Sequence, residues 1–194
     1  MFPDADAPRT AALLSTALVI SFTVTWIAAV LIDGKWEFGV NMISDLGVSA
    51  TNAHYVFGWG AIVTGVLAAS TGYVMSSMRG SLLDKAPFLL LVFAGVMLVL
   101  VGVFPEETAP HFPAAVSLFV AVWISMILLA VRDLRAGERL CGSVNAALAA
   151  LNVILIIAVP IALYEALGVI IFMLWALMLA YAVSVGKEGY GRAA

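Results

Sequence analysis

Six runs of about 20 apolar residues, each bounded by charges or turn formers, constrain this chain more than any other feature. A helix of that length crosses the hydrocarbon core of a bilayer, and a backbone in lipid must satisfy its own hydrogen bonds. The expected fold is therefore all-α, a bundle of six transmembrane helices at about 11–32, 54–77, 86–104, 112–131, 143–164 and 166–186. Composition agrees: 64% of the 194 residues are hydrophobic and 11% charged, more oil than a chain of this size buries in water. The single cysteine, Cys141, excludes a disulfide scaffold, and a net charge of -3 argues against a nucleic-acid partner.

Residues 1–194 read as one transmembrane domain without internal repeats. The segment before the first run carries Asp4, Asp6 and Arg9 rather than a basic stretch, so that run is expected to be a retained span and not a cleaved signal. The fifth and sixth runs are separated only by Tyr164–Gly168. Together they are far too long for one crossing, so a tight hairpin is expected there, with Pro160 kinking the fifth helix just before it.

Basic residues set the expected orientation. Arg9, Arg79, Lys85, Arg132, Arg135, Arg139, Lys187 and Arg192 fall on one side, and Lys35 alone on the other. Both termini are thus expected in the cytoplasm of a multi-pass cell-membrane protein, with loops one, three and five outside. The acids divide evenly, which leaves the outer face net acidic through Asp33, Glu37, Asp45, Glu106, Glu107 and Glu165. Trp36, Tyr55, Trp59 and Tyr164 fit an outer aromatic belt, and Tyr73 and Tyr181 an inner one.

Helices in lipid approach through small residues. Gly58, Gly65 and Gly72 recur every seven residues in the second span, and Gly95 and Gly102 repeat the device in the third. These positions are expected to pack helices, and Asn145 and Asn152 to hydrogen-bond between helices. The glycine stripe of the second span leads to His54, and that of the third to Glu106. The longest connection, 33–53, has Val40, Met42, Ile43 and Leu46 spaced for a short helix against the bundle. His54, His111, Asp45, Glu106, Asn41, Ser44 and Asn52 all fall in one outer layer, where ionisable groups near membrane depth are candidate functional residues.

Asn41-Met42-Ile43-Ser44-Asp45-Leu46-Gly47 resembles the "I-S-D/E-L-G" signature of domain of unknown function family 998, and Gly102-Val103-Phe104-Pro105-Glu106-Glu107 followed by His111 is similar to its "G-x-F-P-x-D/E … H" segment. The resemblance implies a small prokaryotic membrane protein with six spans and brings no established activity. It implies that Ser44, Asp45, Pro105, Glu106 and His111 are signature positions, with His54 less clearly among them.

Three functions are consistent with the residues. The leading one is an outward-facing polar pocket that binds or processes a lipid or lipid-linked substrate. Asp45, Glu106 and His111 would then be catalytic, and Asn41, Ser44, Asn52 and His54 would contact substrate. Asp45, Glu106 and His111 are alternatively candidates to hold a divalent cation. The second function is electron transfer through a b-type haem with His54 and His111 as axial ligands. The third is a non-enzymatic component, either a subunit or scaffold of a larger membrane complex or a lipid sensor, with a homo-oligomer or that larger complex as the partner. A retinal Schiff base and a voltage sensor are excluded, because no lysine lies within a span and no helix carries a row of arginines.

Overall fold

The computed structural model describes residues 6–78, 80–186 and 190; Arg79, Lys187 and Arg192, which contribute to the charge asymmetry, lie outside the described residues. Six helices, each long and apolar enough to cross a membrane, make up nearly all of it: α1 Ala7–Asp33, α2 Ala53–Ser76, α3 Leu82–Val103, α4 His111–Arg135, α5 Arg139–Ala158 and α6 Ile161–Ser184. Consecutive helices pack side by side, and α6 returns to α1, so the bundle closes on itself. Exposed aliphatic side chains such as Leu31, Ile154 and Ile157 cover its flanks, as a lipid-facing surface requires.

Local chemistry explains where the helices stop. Gly34 ends α1 in the left-handed region at φ 69°, returning its N–H to the Val30 carbonyl. Ser81 and Asp84 cap each other at the start of α3, and Phe104, held extended ahead of Pro105, closes it. Arg132 and Arg135 sit in the last turn of α4, where the helix dipole favours cations.

The break between α5 and α6 lies at Val159–Pro160, not at Tyr164–Gly168, and Pro160 terminates α5 rather than kinking it. Proline forces the residue before it out of the helical region, and Val159 is extended at φ -128°, ψ 159°. Tyr164 and Glu165 consequently belong to the first turns of α6 instead of to a connecting turn.

Glycines weld α2 to α3. A Cβ on Gly65 would stand 2.6 Å from the Gly95 carbonyl oxygen, and one on Gly102 would stand 2.6 Å from that of Gly58. Backbone meets backbone at these points, which is the packing expected of the two stripes. A Cβ on Gly60 would run into Thr25, so the opposite face of α2 is seated as closely on α1.

Two layers of buried polar groups tie the remaining helices together. Asn145 donates to Asp133 at 3.1 Å and accepts from the Trp175 indole at 2.9 Å, joining α4, α5 and α6. Asp133 is fully buried; it also pairs with Arg132 at 2.8 Å and accepts the Tyr190 hydroxyl at 2.7 Å. The Arg132 guanidinium lies over the Tyr190 and Phe88 rings, 4.2 and 5.3 Å from their centroids. Nearer the other end, Tyr164 donates to Asn152 at 3.0 Å. Both asparagines thus make the interhelical bonds expected of them.

Candidate functional site

The α1–α2 connection folds onto one end of the bundle. Ile43 and Leu46 are each 1% exposed and enter a core of Phe22, Ala29, Phe57 and Ala166, while Val40 stays exposed at 69% and Met42 half-buried. The chain there forms a single 3-10 turn, Ser44–Val48, in place of an amphipathic helix. Two aromatic residues close its entrance: the Trp36 indole donates to the Met42 carbonyl at 2.7 Å and meets Trp26 edge-on. Trp36 is therefore part of the loop's own scaffold rather than a free belt residue.

Carboxylates hold the signature segment in place. Asp45 turns back on it and accepts the Met42 N–H at 2.8 Å. Glu165, reaching across from α6, accepts the N–H groups of Ile43 at 2.9 Å and Ser44 at 3.3 Å. Sequence reading missed Glu165 as a site residue because it placed this acid in a solvated turn. The available signal was an acid five residues past Pro160 inside an otherwise apolar helix, a position that marks function or a specific partner.

Beneath this segment, between the ends of α2 and α3, lies a cavity of about 420 Å³. Its polar lining is Ser44, His54, Glu106 and His111, and the rest is apolar and aromatic, with Tyr55, Phe57 and Trp59 in the wall. Tyr55, Trp59 and Val103 are more than half exposed on its rim, so the cavity is bordered by the bundle's lipid-facing flank. Gly58 and Gly102, where α2 and α3 approach closely, are part of its lining.

Glu106 is the electrostatic centre of this site. Its Oε2 atom is buried without a hydrogen-bond partner. Loss of hydration first, then the facing Asp45 carboxylate, push its carboxyl above the usual range, against the opposing pull of the Ser44 hydroxyl and of His111. Two ionised carboxylates have no proton to share, so Glu106 and Asp45 bond to each other only when one is protonated. His111 is 5% exposed and its Nδ1 lies 2.8 Å from the Phe104 carbonyl. The Nδ1 of His54 meets the Thr51 carbonyl at 2.5 Å, and its ring lies against Tyr55 with centroids 3.9 Å apart.

Five of the residues picked out from sequence therefore come together: Asp45, Glu106, His111 and Ser44 in one cluster, with His54 across the cavity. Asn41 and Asn52 do not join them. The Asn41 side chain accepts the Glu37 N–H at 2.9 Å and closes a turn, and Asn52 is exposed at the start of α2. Among the described residues no three His, Cys, Asp or Glu side chains are arranged to hold a metal ion. Asp45 and His111 are instead each engaged by the backbone.

Fold and site together define a six-helix, multi-pass membrane protein with a carboxyl-bearing cavity at one end of the bundle. The chain belongs to the family described as protein of unknown function (DUF998), whose family model matches residues 15–182 and so covers every residue of the cavity. No curated protein and no solved structure matches it.

Proposed function

We propose that the cavity binds the polar end of a lipid or lipid-linked substrate at the outer boundary of a prokaryotic cell membrane. The observation that carries this reading is the unpartnered, buried Glu106 Oε2 at the head of an apolar-walled cavity whose rim is lipid-facing. A buried acceptor without a donor costs roughly 1–3 kcal/mol, which a ligand that supplies one recovers. In its protonated form Glu106 is the proton donor available to a bound substrate, and once ionised it is the base that takes that proton back. His111, fixed through Nδ1 on Phe104, presents Nε2 to the same space. The charge asymmetry of the connections supports placing this end outside and both termini in the cytoplasm.

The test is photolabelling in native membranes with a diazirine-bearing single-chain lipid analogue. Labelled peptides are expected from the α2 segment around Tyr55–Ile62 and from Val103, and the substitution Val103→Trp is expected to abolish them by filling the cavity mouth. Labelling spread evenly over the exposed faces of all six helices would refute the site.

Axial haem ligation has one observation in its favour: His54 and His111 line the same cavity, and each has Nδ1 on a carbonyl, the arrangement that leaves Nε2 as the ligating atom. An absorption spectrum before and after dithionite tests it. A Soret band that shifts on reduction and is lost in both His54→Ala and His111→Ala would replace the lipid reading.

A further inference from the structure

We propose that the group recognised in this cavity is a protonated amine, so that the occupant is an ammonium-headed amphiphile rather than a phosphate- or carboxylate-headed one. This rests on the lipid-site reading above and names the chemistry of the headgroup.

Three features of the lining lead to it. No lysine or arginine lines the cavity, and Lys35, the one base at this end among the described residues, is exposed on the loop. An anionic headgroup would meet Glu106, with Asp45 directly behind it, and as side-chain donors the Ser44 hydroxyl, two imidazoles, the Tyr55 phenol and the Trp59 indole, none of them a lysine or arginine. An ammonium instead supplies the N–H that the buried Glu106 Oε2 lacks when Glu106 and Asp45 are both ionised, in a charge-assisted bond. The wall offers Tyr55, Phe57 and Trp59, whose ring faces attract a cation and whose bodies accept an alkyl chain. The volume of about 420 Å³ suits a single-chain head and its first methylenes.

The polar groups that face the headgroup from each packed element are Ser44 of the loop, His54 and Tyr55 of α2, Glu106 of the α3–α4 turn and His111 of α4, with Asp45 behind Glu106 and Glu165 of α6 behind the loop. Three of these groups are carboxyls and none is a lysine or arginine, so the field at Glu106, once it is ionised, attracts a cation.

The experiment uses the full chain in phosphatidylcholine nanodiscs, titrated calorimetrically at neutral pH with dodecylamine, dodecanol and dodecyl phosphate against empty nanodiscs. Dodecylamine is expected to bind saturably with one site per chain, dodecanol and dodecyl phosphate about tenfold or more weaker. Glu106→Gln is expected to lower dodecylamine affinity about thirtyfold, because it removes one partner of a desolvated charge pair, and Val103→Trp to abolish binding. If dodecanol or dodecyl phosphate binds as tightly as the amine and is likewise blocked by Val103→Trp, the amphiphile site stands and the ammonium inference is overturned. Undiminished amine binding by a folded Glu106→Gln protein overturns it as well. If none of the three probes binds saturably, the lipid-site reading itself falls.

Discussion

Replacing Glu165 by alanine should unfasten the signature loop while leaving the bundle folded. The carboxylate satisfies two backbone donors, Ile43 N–H at 2.9 Å and Ser44 N–H at 3.3 Å, and both residues are buried, at 1% and 6% exposure. A buried donor stripped of its partner costs roughly 1–3 kcal/mol. Taking the longer bond at the low end of that range and the shorter at its middle, the loss is about 3 kcal/mol, or a little over a hundredfold in local opening. Hydrogen–deuterium exchange in nanodiscs reads that number directly: amides of residues 43–46 should exchange about a hundredfold faster, and those of α2 and α3 should be unchanged. Glu165→Gln keeps one acceptor oxygen but turns a donor toward the other N–H, so about half the effect is expected in free energy. Unchanged exchange at residues 43–46, or an equal rise across all six helices, would refute the clamp.

Other perturbations separate packing from site chemistry. Gly65→Ala places a methyl 2.6 Å from a backbone oxygen of α3 and should lower stability in detergent by about 1–3 kcal/mol, whereas Gly58→Ala, at 3.1 Å, should cost less; equal melting of the two variants would contradict the packing account. Asp133→Ala removes a buried charge that Arg132, Asn145 and Tyr190 all engage, so a loss of about 3–5 kcal/mol is expected, against about 1 kcal/mol for Tyr190→Phe, both read from denaturant or thermal unfolding. Glu106 titrates above the usual carboxyl range, so its contribution to stability is complete in acid and is lost as pH rises from the ordinary carboxyl value through the raised one. Unfolding followed from acid to neutral pH should show that decline in the wild type and a flatter profile in Glu106→Gln. Amine binding should run the opposite way, strengthening as Glu106 ionises.

The spans were legible because lipid imposes a length and a polarity on every crossing, and the α2–α3 contact because Gly58, Gly65, Gly72, Gly95 and Gly102 keep a helical register that backbone contact demands. What sequence spacing did not reveal is chemistry between distant segments. Asp133 reads as one charge in a cytoplasmic connector, yet it is fully buried and bonded to α5 and to Tyr190. Glu165 was hidden by the misplaced turn: once Pro160 is recognised as the start of α6, the acid moves from solvent to the loop's underside. In the site, Asp45, Glu106, His111, Ser44 and His54 were found through their layer and helical phase. Asn41 and Asn52 shared the layer but lie on the loop's outer turns, a distinction that depends on how the chain bends at Gly39 and Ser44–Val48.

The most direct measurement of the central claim is native mass spectrometry of the protein released from its own membranes. The wild type is expected to carry one non-covalently bound amphiphile per chain, absent from Val103→Trp and reduced in Glu106→Gln, with all three proteins equally folded. Wild-type protein that emerges with no bound amphiphile, or variants that retain it in full, would contradict the account.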